Sequence, residues 1–315
     1  MKLSELVEQR NKLDRLLLVD YENTVHQHLN ELFAEVNKEI VDPELSTLIK
    51  KTHQDVSENL VNLRTQFAQQ RDIVDDLINR GKIEYIKASN KLYDESKHDS
   101  PEYIYRRSQQ NNLFEIQSIR EEFLGRFGLY ANWQYPGMQI RPLWGNITDY
   151  IKSLDPLYLV DTNEELFSRV KNLFSKQYQR RLRYYTINEE SERIFEQLPH
   201  DQFGFIIAVD YFNFKPFWLI SKFLEEFFSL LRPGGVCMFT YNNCDLASGV
   251  RQAENRFNSF VPQKDLITIA KGYGFDIIKT VDLQQNISWI ELKKPGELTT
   301  LRGGQALAEI RSFDT

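Results

Sequence analysis

The sequence predicts two parts of different class. Residues 1–130 read as an all-α helical-hairpin or coiled-coil region, and residues 131–295 as an α/β domain built on a doubly wound sheet, with a C-terminal tail at 296–315. Three observations carry this. Apolar residues in the first part recur at steps of three, four and seven, the helical period. From Tyr135 onwards short apolar runs alternate with amphipathic helices, the pattern of a parallel sheet covered on both faces. Gly125 and Gly128 separate the two regimes and are expected to end the helical part.

In the helical part, Leu3, Leu6, Leu13 and Leu17 form one periodic set, and Val25, Leu29, Leu32 and Val36 another. Asp42-Pro43 interrupts them and starts a further helix, with Asp42 as its cap. Val56, Leu60, Leu63, Phe67, Val74 and Leu77, with Gln70 at the intervening position, then make an a/d seam. Arg80-Gly81 is expected to close or bend that helix. Ser100-Pro101-Glu102 opens another, running to about Arg126, with Asp99 or Ser100 as cap. The seam is narrow and the other faces are polar, so self-association or docking on a larger assembly is expected of residues 1–130; a bare three-helix hairpin is the alternative.

In the α/β part the expected strands are 137–140, 157–160, 183–186, 204–209, 236–241, 275–281 and 288–291, the last two close enough for a hairpin. Helices are expected at 164–175, 217–231 and 263–272, and a short one in the tail at 305–310. The layout of 137–167 is that of a nucleotide-binding strand, turn, helix and strand, ending on Asp161. The turn, Gln139-Ile140-Arg141-Pro142-Leu143-Trp144-Gly145, is poor in the glycines that let backbone approach a ligand.

Three stretches carry a family resemblance. Tyr158-Leu159-Val160-Asp161, Phe203 to Asp210 and Phe223 to Thr240, with its Leu231-Arg232-Pro233-Gly234-Gly235, resemble the second strand, fourth strand and helix-to-fifth-strand connection of class I S-adenosylmethionine-dependent methyltransferases. The first motif of that family, an acid followed by alternating glycines, falls on Gln139, Arg141, Leu143 and Gly145, so three of its four positions depart from the pattern. The resemblance spans about 135–295 and implies a Rossmann-like seven-stranded methyltransferase sheet with S-adenosylmethionine as cofactor. It implies cofactor contacts at Gly145, at Asp161 with the ribose, and at Asn188 and Glu189 beside the adenine. Asp210 and Tyr211, after the fourth strand, fall where the methyl group meets its acceptor, and Asp210 would orient or deprotonate a hydroxyl or amine. Asn213, Tyr241, Asn242 and Asn243 would line the same crevice.

Each site has a plainer reading. Asp161 precedes a helix and could simply cap it. Gly145 could be a turn residue, Asn188 and Glu189 a solvated loop, and the aromatics around Tyr184, Tyr211 and Phe212 could be core packing. Arg141 and Leu143 put side chains where the cofactor would lie, and a cation at 141 would repel a sulfonium. Two functions therefore stand: methyl transfer to a hydroxyl or amine, or a catalytically inactive methyltransferase fold serving as a structural or interaction component.

A formal net charge of −6 argues against a general nucleic-acid surface. No run approaches the roughly 20 apolar residues that cross a bilayer, and the charged N-terminus does not read as a secretory signal, so an intracellular (cytoplasmic) location is expected. Cys237 and Cys244 are too few for a disulfide framework, and the histidines lack metal-ligand spacing, so no metal is expected.

Overall fold

A computed structural model describes residues 2–18, 26–39, 42–110, 117–143, 145–283 and 287–298. The expected tail helix at 305–310, Trp144 in the turn and Val25 lie outside the described residues. The chain divides into two compact units, Met1–Ile83 and Glu84–Thr315.

The first unit is helical. It contains α1 (Leu3–Leu18), α2 (His26–Glu39) and most of α3 (Pro43–Ser96). Asp42 caps α3 as expected, its carboxylate accepting from the Glu44 amide at 3.0 Å. The expectation that Arg80-Gly81 closes or bends this helix is corrected: α3 continues through it to Ser96. A mid-helix glycine costs only about 1 kcal/mol relative to alanine, and Leu3 of α1 packs so close to Gly81 that an added Cβ would meet its Cδ1 at 3.2 Å. Leu3, Leu6, Val7 and Ile78 are buried, while Leu63 and Leu77 of the seam are 40% and 42% exposed.

The second unit starts with the end of α3, followed by α4 (Pro101–Gln110) and α5 (Gln117–Tyr130). Ser100 caps α4 through the Tyr103 amide at 3.2 Å; Asp99, the other expected cap, pairs with Arg107. Gly125 and Gly128 do not end the helical part, because α5 carries both and stops at Tyr130. Residues 84–130 thus share a compact unit with the sheet.

The sheet has seven strands among the described residues: β1 (Gly137–Ile140), β2 (Leu157–Asp161), β3 (Leu182–Thr186), β4 (Phe203–Ala208), β5 (Leu231–Tyr241), β6 (Asp276–Leu283) and β7 (Ile287–Lys293). Their order is β3-β2-β1-β4-β5-β7-β6. The first five are parallel and β7 runs antiparallel to both β5 and β6. The reversal at β1, flanked by β2 and β4, opens a crevice at the carboxyl ends of these strands. Leu231-Arg232-Pro233-Gly234-Gly235, read from sequence as a connection, lies inside β5, with a register shift opposite Phe203/Phe205.

Between the strands lie α6 (Asn146–Tyr150), a 3-10 turn at Glu164–Phe167, α7 (Ser168–Leu173), α8 (Lys176–Gln179), α9 (Phe217–Leu230), α10 (Ala247–Glu254) and α11 (Gln263–Gly272). The single helix expected over 164–175 is therefore broken in two, and α10 was not expected. One face of the sheet packs Ile140, Ile206, Phe239 and Ile290 against Phe223 and Phe227 of α9. The other packs Leu159, Phe205, Ile207 and Trp289 against Phe123 and Phe127 of α5.

Candidate functional site

Four polar side chains meet at the carboxyl ends of the parallel strands. Arg141 follows β1, Asp161 ends β2, Glu189 follows β3, and Lys215 follows β4; all are buried. Arg141 Nη2 lies 3.2 Å from Asp161 Oδ1, and that oxygen also accepts from the Thr162 amide at 2.7 Å. The Arg141 guanidinium sits over the Tyr211 ring, 4.8 Å from its centroid. Lys215 Nζ lies 2.6 Å from Glu189 Oε1 and 4.7 Å from the Tyr211 centroid. Glu189 also accepts from the hydroxyls of Tyr211 and Tyr93, the second at 3.0 Å. Two cations and two carboxylates thus close into one buried cluster.

Burial and charge act in opposite senses on Glu189 and Lys215 and in the same sense on Tyr211. Burial alone would raise the Glu189 carboxyl, but Lys215 and then Tyr211 and Arg141 bring it below the usual carboxylate range. Burial pulls Lys215 down to about 8, against the pull of Glu189. Burial raises the Tyr211 hydroxyl, and the Glu189 charge beside it adds to the shift.

Beside the cluster is a cleft of about 830 Å³ that reaches Arg141, Thr162, Asn188, Glu189, Phe214 and Lys215. The end of α3 and the start of α4 form its other wall, through Tyr93, Lys97, Asp99 and Arg107. Its volume lies in the range of small-molecule sites.

The residues expected to touch a cofactor are distributed unevenly around it. Asn188 and Glu189 line the cleft. The Asn188 side chain accepts from the Glu190 amide at 3.0 Å and so shapes a turn, while Glu189 is buried rather than solvated. Gly145 takes φ 73° ahead of α6, and a Cβ there would meet Leu173 Cδ1 at 2.6 Å, so turn and packing account for it. Asp161 does not cap the following turn; Asn163 does, accepting from the Glu165 amide at 2.9 Å. Gln139, at the acidic position of the first motif, is buried and accepts from the Thr148 hydroxyl at 2.7 Å.

Asp210 follows β4 at φ 54°, and its carboxylate accepts from Asn213 Nδ2 at 3.0 Å. Burial pushes its carboxyl up to about 7, against Arg107, the Asn213 hydrogen bond and Arg141. Tyr211 is fully buried in the core. Asn242 and Asn243 tie loops together: Asn242 Nδ2 donates to the Gly249 and Ser259 carbonyls at 3.0 and 2.9 Å, and Asn243 Nδ2 to Asp282 at 2.9 Å. Tyr241 donates to Gln263 at 2.9 Å. Cys237 and Cys244 are buried free thiols.

The two departures from the glycine pattern have different consequences. Both keep glycine-like backbone, with φ 56° at Arg141 and 39° at Leu143. Arg141 turns its side chain onto Asp161. Leu143 packs with Tyr105, Leu166 and Ile104, which fixes α4 beside the crevice. The Tyr105 hydroxyl completes that joint by donating to the Leu166 carbonyl at 2.8 Å. The sequence reading missed Lys215, Tyr93 and Arg107. A lysine inside the aromatic run of 211–218 was the one available signal; the other two come from distant helices.

Arg141 bears directly on S-adenosylmethionine, the cofactor that the fold implies. Asp161, where the resemblance would put a ribose contact, is bonded to the Arg141 guanidinium, and a cation there would repel a sulfonium placed beside it.

No protein-family model and no curated protein matches the chain. Among solved structures, it is similar to a SAM-dependent methyltransferase from Aquifex aeolicus at 15% identity and TM-score 0.40, over 55% of this chain and 88% of that one. It is also similar to an S-adenosylmethionine-dependent methyltransferase from Mesorhizobium loti at 8% identity and TM-score 0.45, over 55% of this chain and 96% of that one. Such likenesses concern the fold alone, and the strand order already defines it. With that order and the crevice at the ends of its parallel strands, the chain carries a class I methyltransferase-like domain that follows, in sequence, an N-terminal helical region.

Proposed function

We propose that this chain is a methyltransferase-like protein that acts as a binding or structural component, with its S-adenosylmethionine site closed by its own side chains. The observation behind this reading is the buried Arg141–Asp161 pair at the carboxyl ends of β1 and β2. Arg141 already holds one oxygen of Asp161 inside the crevice, and a ligand that displaced the guanidinium would break a buried pair at about 3–5 kcal/mol. That cost is large beside the roughly 8 kcal/mol of a micromolar ligand.

Of residues 1–130, the stretch up to Ile83 is the part we assign to self-association or docking, on the strength of the seam and its exposed Leu63 and Leu77; residues 84–130 belong with the sheet. No helix among the described residues is long and apolar enough to cross a membrane. The buried free thiols accord with an intracellular setting.

Methyl transfer to a hydroxyl or amine is the second reading. Asp210 favours it, because a carboxyl held near neutrality beside the crevice suits a general base.

Titration calorimetry of S-adenosylmethionine and S-adenosylhomocysteine into the purified chain separates the two, with Asp161→Ala as control. The closed-site reading expects no saturable heat from either ligand. Micromolar binding that Asp161→Ala abolishes would restore the enzyme reading.

A further inference from the structure

The Arg141–Asp161 contact is incomplete for a pair so deeply buried. Guanidinium and carboxylate usually meet through two parallel hydrogen bonds. Here a single bond of 3.2 Å joins them. Arg141 Nε and Asp161 Oδ2 are both buried, and neither has a hydrogen-bond partner among the described residues. An unspent buried acceptor is costly, so this carboxylate sits in a site whose hydrogen bonding the chain does not itself complete. Asn213 Oδ1, beside Asp210, is a further buried acceptor without a partner among those residues.

The backbone points the same way. Arg141 and Leu143 hold left-handed conformations that glycine adopts freely and L-residues adopt at a cost of about 1–2 kcal/mol each. The turn thus has glycine-like backbone at 141 and 143, with the Arg141 side chain turned onto Asp161. That side chain carries a cation, lies against an aromatic face, and borders a cleft of small-molecule size.

We propose that the Arg141 side chain is a tethered occupant of a nucleoside site, its guanidinium holding the Asp161 carboxylate that a ligand's hydroxyls would otherwise take, and that Asp161 and the adjoining cleft accept a nucleoside once Arg141 is removed. This rests on the closed-site reading given above. It goes further, because it says that one side chain does the closing and that the rest of the site is intact.

The test is Arg141→Gly, which removes the occupant and suits the left-handed backbone. S-adenosylhomocysteine and adenosine are titrated into the variant and the unaltered chain, and thermal shift is read with methylguanidinium. The variant is expected to bind S-adenosylhomocysteine at least about tenfold more tightly than the unaltered chain, and to lose that binding in Arg141→Gly/Asp161→Asn. Methylguanidinium should raise the melting temperature of the variant and leave the unaltered chain unmoved. A folded variant that binds no nucleoside, with the unaltered chain equally silent, overturns the tethered-occupant proposal and leaves the closed-site reading standing. Tight binding by the unaltered chain overturns both. A variant that methylguanidinium neither rescues nor stabilises shows that the space left by Arg141 is not a cation site, and overturns the proposal even where the variant is too unstable to titrate.

Discussion

At the residue scale, Arg141 and Asp161 act as a unit, and this has a measurable signature. Removing either partner leaves the other charge buried without its counter-ion, so Arg141→Leu and Asp161→Asn should each cost about 3–5 kcal/mol in denaturant unfolding. The double variant removes both charges and should cost clearly less than the sum, a coupling that a double-mutant cycle reads directly. Additive losses would mean that the two side chains do not interact.

Asp210 gives a second residue-scale prediction. Its folded-state value of about 7 lies above that of an unfolded aspartate, so between about pH 4 and 7 the native state holds the extra proton. Stability from this group is therefore lost as pH rises through that window and is level above it. Asp210→Asn should flatten that slope and raise stability at pH 8 relative to the unaltered chain. A carboxyl carbon titrating near pH 4 by NMR would remove the basis for this.

Asp161 and Arg141 were both legible in the sequence, one as the acid ending a strand and the other as a cation in a glycine position. Their bond was not. Pairing across adjacent parallel strands depends on register, and no spacing rule gives that for residues this far apart. Glu189 was legible as a position but not as the centre of a cluster, because its partners Tyr93 and Lys215 come from α3 and from the loop after β4.

At the element scale, Leu143 couples the turn after β1 to α4. Leu→Ala substitutions at buried sites cost about 2–5 kcal/mol, and here the truncated side chain would no longer pack on Tyr105, Leu166 and Ile104. Leu143→Ala should therefore speed amide hydrogen exchange along 101–107 more than in β4 or β5. Uniform acceleration across the sheet would mean that α4 is not held locally. Periodicity located α11 and all seven strands, because apolar runs between polar breaks are strong signals in a two-sided sheet. It failed where one residue decides. Gly81 does not stop α3, since Leu3 packs on it. Of the caps that Asp161-Thr162-Asn163 offered, Asn163 is the one used, and the helix expected over 164–175 divides instead at Phe167/Ser168.

At the scale of the whole molecule, the chain joins a methyltransferase-like domain to helices whose seam is only partly covered within their own unit. If residues 1–130 self-associate, light scattering on the unaltered chain should give a mass above that of one chain. Leu63→Glu/Leu77→Glu should return it to monomer without loss of helicity, because both positions are substantially exposed. An unaltered chain that is monomeric at high concentration would assign the seam to another partner.

What fills the crevice between β1 and β2 separates a closed site from an open one. The most direct measurement is a crystal structure of the unaltered chain grown with saturating S-adenosylhomocysteine. The account predicts density for the Arg141 guanidinium against Asp161 and none for a nucleoside. Ribose hydroxyls on Asp161, with Arg141 swung out of the crevice, would contradict it.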